Sequence, residues 1–523
     1  MKWYVIFLAM IFLSCSKKEV PLKISCALCA DVCSLDPRVG YDTPSVNVIR
    51  TLFDGLMRFN EMGEVIPGIA EKVVVSSNGM RYTFFLRDAK WSDGEPVTAD
   101  DFEYAWKKGV DPTTITQSSF LFHVLKNGKG CALGEKSLDE LGVKALNAKT
   151  LQVELDHPLP YFLKLLTVTP FNPIPKHIAE KDDKWATKLD HQFVSNGPFC
   201  LEERKIGDQI LVKKNPHYWD ADVVKLDQIA FLVIQDANTQ LLMFEKGDID
   251  WVGSPFGHLP LDALDSLKEK YQLNTGEQAG VMWCFLNTEK YPLNSKHLRR
   301  ALFFAMNRRA LNDQAYIFHP LVPKGVLPHM MELQTSEYPP EGDPMLAKKE
   351  LELAREELGL GDAPFPSIRL AYTALERNHR FAQTIQQDIR KTLGIDIQLE
   401  SSDWPTYFKH VSSGEYAMGL MGWTSRTYDP LDMLATFRNK ENSINFSRWQ
   451  NDEYQYLLNC AEQTIELEPR LDFLRQAEAI LMQEFPVICL FTSAKAYLYN
   501  PRLSHFTVSS LDEVDLKTAS LDR

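Results

Sequence analysis

The 523 residues contain none of the short motifs that mark common enzymes. There is no Gly-x-Ser-x-Gly turn to present a nucleophile, no Gly-x4-Gly-Lys-Ser/Thr loop to cradle phosphates and no His-Glu-x2-His pair to hold zinc. The twelve histidines are spread singly, and none forms an i, i+4 pair. Paired acids such as Asp182 and Asp183 lie in polar, solvated loops. No catalytic residue is assigned, and the odds move toward a binding protein. Basic charge is short too. Lys and Arg number 57 against 70 Asp and Glu, a net charge of −13, and no basic run gathers the cations that a nucleic-acid surface needs. Low-complexity tracts and internal repeats are absent. Beyond the first residues no apolar run approaches the roughly eighteen residues of a membrane span. A composition of 45% hydrophobic and 24% charged residues fits a globular chain, and the length predicts more than one domain.

What is present begins at the amino terminus. Lys2 precedes an unbroken apolar run from Trp3 to Leu13, too short to span a bilayer but suited to a signal-peptide core. It ends in "FLSC", which resembles a bacterial lipoprotein cleavage site, although Phe12 stands where an aliphatic residue is usual. Residues 1–15 are read as a lipoprotein signal peptide, with Cys15 lipidated as a membrane anchor. Cys26, Cys29 and Cys33 form a Cys-x2-Cys-x3-Cys cluster without a fourth ligand nearby, so no metal is expected. Outside the cytoplasm, some pairing of the later cysteines into disulfides is expected instead.

The stretch "KWSDGEPVTADDF" (90–102) could be a metal loop, a carboxylate site or a structural joint. Ser92-Asp93-Gly94 is turn chemistry, and Thr98 stands three residues before Asp101, as in a capping box opening the helix "ADDFEYAWKK". A calcium loop wants alternating carboxylates and a closing Glu, which are missing. The joint is the better reading. Before it, Tyr82, Phe84 and Leu86 alternate with Thr83, Phe85 and Arg87, and both faces read as buried. Elsewhere strands and helices alternate. "IAFLVIQ" (229–235) is an apolar strand before a helix stopped at Gly247. Leu298, Ala301, Leu302, Ala305 and Met306 form one helical stripe, and Gly394 ends a helix before a strand carrying Ile395, Ile397 and Leu399. The class is α/β.

Read in order, longer pieces resemble the peptide-binding class of bacterial extracellular solute-binding proteins, family 5, the receptors of oligopeptide ABC importers. These are "SLDPRVGYDTPSVNVIRTLFDGL" (34–56), "FFLRDAKWSDGEPVTADDFEYAWKKGVDP" (84–112), "LGVKALNAKTLQVEL" (141–155), "LPYFLKLL" (159–166), "SNGPFCLEE" (195–203), "KKNPHYWD" (213–220), "FEKGDIDW" (244–251), "RRALFFAMNRRAL" (299–311) and "MGWTSRTYDPLDML" (421–434). The resemblance implies a two-lobed periplasmic-binding-protein fold with a hinged cleft and an additional domain. Lobe I would be discontinuous, made of residues 16–53, 178–281 and 494–523. The additional domain would span 54–177, and lobe II 282–493. The implied partners are a peptide ligand and the permease and ATPase subunits of an importer, with a monomeric receptor and no cofactor. Modified ligands (a cell-wall or glutathione-like peptide, a metal or haem complex) and a non-transport envelope role stay open as alternatives.

The same resemblance places the ligand against the backbone of Gly422 and Thr424, with Trp423 and Trp404 walling side-chain pockets and Tyr41 and Thr43 flanking from the other lobe. One position departs from the pattern. Arg426 stands where peptide binders hold an Asp that neutralises the ligand's α-ammonium group. A guanidinium there repels an amine and favours a carboxylate. Asp429 is expected either to neutralise Arg426 or to replace part of the missing acid.

Overall fold

The computed structural model describes residues 21–40, 42–60, 63–114, 118–182, 184–315, 322–333, 342–442 and 444–522. Cys15 and Tyr41 lie outside the described residues, as does the signal segment. A ten-stranded mixed sheet organises the chain. Its spatial order is Ile397–Ser402, Ile368–Thr373, Met418–Thr424, Asn274–Leu286, Val487–Tyr499, Trp251–Gly253, Lys23–Leu28, Gln228–Val233, Gln209–Lys214 and Phe199–Lys205. The segments on one side come from residues 23–28 and 199–253, and those on the other from residues 274–499. The two lobes therefore share one sheet.

Two strands of thirteen residues each, Asn274–Leu286 and Val487–Tyr499, pass from one lobe into the other. Their antiparallel ladder is irregular in the middle, with its register shifting between Glu277 opposite Ala494 and Val281 opposite Thr492. Such a bulge breaks pairing and lets the strands bend. The apolar cores divide at the same place. One buried cluster gathers residues from Ile24 to Phe256 and returns at Leu503, Val514 and Leu516, while a second runs from Ala279 to Phe491 and takes in Phe59 and Leu511. A smaller four-stranded sheet, formed by Ala70–Val75, Arg81–Leu86, Thr150–Glu154 and Val143–Asn147, belongs to the additional unit. It shares the first cluster through Phe84, Leu151 and Val153, so it is welded to the first lobe.

Local chemistry explains the joints. Thr98 donates both its N–H (2.8 Å) and its hydroxyl (3.1 Å) to Asp101, which opens the helix Ala99–Val110, while Gly94 takes φ +94° in the preceding turn. Gly247 and Gly394 end their helices at φ +79° and +70°. Three expectations are corrected. The strand Arg81–Leu86 buries only the face of Tyr82, Phe84 and Leu86; Phe85 is 40% exposed, because the four-stranded sheet is covered on one side. The stripe from Leu298 ends its helix at Ala305, and a new helix starts at Arg308. Cys26, Cys29, Cys131, Cys200, Cys284, Cys460 and Cys489 are thiols rather than disulfides. Most of them are sealed in the core, where burial pushes the Cys26, Cys284 and Cys489 thiols up.

Candidate functional site

One cavity of about 290 Å³ draws its walls from distant segments. Thr43 comes from the first turn of the helix Thr43–Leu52, and Thr424, Ser425 and Arg426 from the end of the Met418–Thr424 strand. Phe120 belongs to the additional unit, and Asp512 and Glu513 to the hairpin of Thr507–Val508 and Val514–Asp515. Of the residues expected at the site, Thr43, Thr424 and Arg426 are thus brought together.

The strand Met418–Thr424 emerges from the core as it nears this cavity. Residues 418–421 are buried, Gly422 and Thr424 are exposed and Trp423 is half-buried. On one side all seven residues pair with 286–280; on the other, the neighbouring strand pairs only with Met418 and Gly419. Beside residues 420–424 the second edge has no strand partner among the described residues. An edge of this kind holds main-chain donors and acceptors ready for an added extended segment. A Cβ added at Gly422 would meet Met282 Cε at 3.9 Å, so packing leaves room on that side.

Trp423 stacks on Trp283, with ring centroids 5.9 Å apart and planes 17° from parallel. Trp404 opens the helix Trp404–Ser412, is 49% exposed and packs on Phe408. It does not line the cavity. Its helix is nevertheless tied to the open strand, since the Tyr407 hydroxyl donates to the Leu420 carbonyl at 2.5 Å. Trp404 on this tethered helix and Trp423 on the strand itself are an exposed and a half-buried ring.

Arg426 is held by its backbone. Its N–H donates to Asp432 at 2.7 Å, and the adjacent Ser425 hydroxyl donates to the same carboxylate oxygen at 2.9 Å. The guanidinium lies over the Phe120 ring, 5.1 Å from its centroid, and makes no ion pair among the described residues. Asp429 is committed elsewhere. It caps a short helix through Leu431 N–H and accepts from Arg470 at 2.7 Å, in a pair only 8% and 3% exposed. The expected pairing of Asp429 with Arg426 is therefore not the one formed; Arg470, 41 residues further on, takes that acid.

The hairpin's part of the wall was not singled out from sequence. Asp512 sits at φ +60° in the hairpin, and its carbonyl accepts from the Asn47 side chain at 3.1 Å. Asn47 also accepts from Val514 N–H at 2.7 Å, which straps the hairpin to the helix that begins at Thr43. The carboxylate oxygen Oδ1 of Asp512 is buried without a hydrogen-bond partner. Burial pushes this carboxyl up to about 6, against the pull of Gln278 and Lys495. The neighbouring Glu513 is paired with Arg50 at 3.0 Å. Lys495 spends its ammonium on the carbonyls of Val508 and Ser509, both at 2.8 Å. In the sequence, "SSLDEVDLK" (509–517) is an acidic, turn-rich segment, and nothing local tells which of its acids faces inward.

Comparison with known proteins follows the same outline. The family model described as bacterial extracellular solute-binding proteins, family 5 Middle, matches residues 64–445. The oligopeptide-binding protein OppA of Bacillus subtilis (strain 168) is 36% identical over 491 residues, covering 93% of this chain and 90% of that protein. Among solved structures, a periplasmic oligopeptide-binding protein (OppAIV) from Borrelia burgdorferi superposes with a TM-score of 0.84 at 27% identity, covering 96% of this chain and all of that one (100%). OppA of Haemophilus influenzae in complex with RPPGFSPFR superposes with a TM-score of 0.82 at 26% identity, covering 96% and 99%.

Proposed function

Because this chain belongs to the bacterial extracellular solute-binding proteins of family 5, we propose that it captures peptides between its lobes and delivers them to the permease and ATPase subunits of an ABC importer. The observation that carries this reading is the unpaired edge of residues 420–424, which runs into a cavity between the lobes. An extended peptide added there forms main-chain hydrogen bonds that do not depend on its side chains, while Trp423 and Trp404 offer apolar walls to those side chains. The names of the relatives, one of them solved with RPPGFSPFR bound, point the same way.

Capture is read as closure about a hinge, which shifts an open–closed equilibrium toward the form that the importer recognises. Lobe I comprises residues 16–53, 178–281 and 494–523, lobe II residues 282–493 and the additional domain residues 54–177. The register shift around Glu277–Val281 and Thr492–Ala494, at the junctions of those segments, supports this division. The receptor carries out no chemistry on its ligand, acts as a monomer and is held at the cell envelope by lipid on Cys15. Loss of detergent partitioning in Cys15→Ser tests the anchor. Tyr41 and Thr43 are assigned to the first-lobe side of the peptide. Arg426, at the cavity wall with no ion pair among the described residues, selects a carboxylate.

Mass spectrometry of material that co-purifies with the protein, followed by calorimetry with the peptides found, tests the reading directly. Trp423→Ala is expected to weaken peptide binding by about 1–3 kcal/mol, the usual range for an anchoring ring. Wild-type affinity in that variant excludes Trp423 from the site. Failure of any peptide to bind overturns the function.

A further inference from the structure

The cavity that presents Arg426 also presents an acid of the opposite charge. We propose that Asp512 is the residue that receives the ligand's α-ammonium group. The favoured peptides then carry a free amino terminus beside an acidic side chain, the first on Asp512 and the second on Arg426. This rests on the peptide-capture reading above and adds to it the chemistry of one peptide end.

Three observations carry the inference. The first is that Asp512 Oδ1 is buried without a partner, on a residue lining the cavity. A buried acceptor left unpaired is costly, and such groups are rare unless something completes them. The second is that the nearby cations are already engaged. Arg50 pairs with Glu513, Arg470 with Asp429, and Lys495 donates to two carbonyls. No Lys, Arg or His nitrogen lies within 4 Å of the Asp512 carboxylate among the described residues; Lys495 acts on it only from further away, so an ammonium brought by the ligand would be its close partner. Both acids of this hairpin line the cavity with one buried oxygen that lacks a hydrogen-bond partner, Asp512 Oδ1 and Glu513 Oε2, but of the two only Glu513 has an ion-pair partner among the described residues.

The third observation is how the two charges are positioned. Ala279, at the irregular middle of a lobe-crossing strand, donates its N–H to Ser510 O at 2.6 Å and accepts from Ser425 N–H at 2.7 Å. One residue therefore fixes both the segment entering Arg426 and the segment entering Asp512. Asn47 holds the Asp512 backbone from the other side at φ +60°, a region that Asp tolerates better than most residues. Arg426 and Asp512 line the same cavity on different segments that share this anchor. A carboxylate on the guanidinium and an ammonium on the carboxylate would complete both. The acid expected at position 426 is thus not simply lost; its task falls to the C-terminal hairpin.

The test is calorimetry on the full mature chain with Glu-Ala-Ala, its N-acetylated form and Ala-Ala-Ala, using wild type, Asp512→Asn and Arg426→Gln. In the wild type, acetylation is expected to weaken Glu-Ala-Ala at least about tenfold, as for loss of one partner of a desolvated charge pair. Asp512→Asn, nearly isosteric, should reduce that penalty to about twofold while leaving the thermal midpoint no lower. Arg426→Gln should keep the acetylation penalty but lose the preference for Glu-Ala-Ala over Ala-Ala-Ala. If both forms bind the wild type equally, or the penalty survives in Asp512→Asn, the assignment of Asp512 falls and peptide capture stands. If none of the three peptides binds, both readings fall.

Discussion

Asp101 and Asp512 are both partly or fully buried carboxylates, and burial pushes both above the usual range, yet their surroundings differ in kind. Asp101 sits in the loop 90–102, where every line of approach ends in a donor. Thr98 N–H, the Thr98 hydroxyl and the Trp91 indole N–H reach one oxygen, and Lys176 N–H reaches the other at 3.1 Å. Asp512 lies in the hairpin 507–515, strapped through its backbone, and lines a cavity while one of its oxygens is buried without a hydrogen-bond partner. The first loop has the more legible motif and the more completely satisfied acid. Its carboxylate joins a turn, a helix start and a neighbouring segment, which leaves it no capacity for a ligand. The hairpin carries no recognisable motif and keeps an unused acceptor. Motif strength in this chain reports local architecture, and the incompletely bonded acceptor lies where no motif marks it.

The largest test of this contrast is stability. Asp101→Ala leaves several buried donors unpaired and is expected to cost about 3–5 kcal/mol, read as a lowered urea midpoint. Asp512→Ala should cost less, because no hydrogen bond to its Oδ1 is lost and the cost is confined to the Gln278 contact and to Ala at φ +60°. A reversal of that order would show that the hairpin acid, and not the loop acid, is structural.

A smaller effect sharpens the comparison through pH. The groups around Asp512 are Lys495 and Gln278, which lower its pKa, Glu513, which raises it, and Arg426, which lines the same cavity. Its folded pKa of about 6 lies above the unfolded value of about 3.9, so the fold prefers the protonated acid. The associated stability is fully present below pH 4 and is lost as pH rises through about 6. Allowing for partial solvent screening, the loss amounts to about 1–2 kcal/mol. Urea midpoints at pH 4.5 and pH 7 should show Asp512→Asn gaining on the wild type at the higher pH. Parallel profiles in the two proteins would mean that the carboxylate is solvated after all.

Thr98, Asp101, Gly94, Gly247 and Gly394 could be placed from sequence because caps and turns are decided within a few residues. The alternation of strands and helices is local too, and the order of longer pieces carries the two-lobed fold. The one-sided burial of the strand Arg81–Leu86 was not legible in this way, since it depends on what covers the sheet. Nor was the partner of Asp429, because Arg470 reaches it only after a second helix packs against the first.

The amino-acid sequence on its own determined where elements start and stop and which class of fold they build, and it singled out the strand 418–424; that strand ends at the cavity. Tertiary structure alone decided which charges meet there. Asn47 and Val514, 467 residues apart, are joined by one hydrogen bond, and that bond helps to set the place of Asp512. A hydrogen bond between neighbours in the chain is encoded by spacing, whereas one across the whole chain exists only after the sheet has brought both lobes together. The charge pattern of the cleft is of the second kind, because an ion pair is set by distances of a few ångströms that no local pattern specifies.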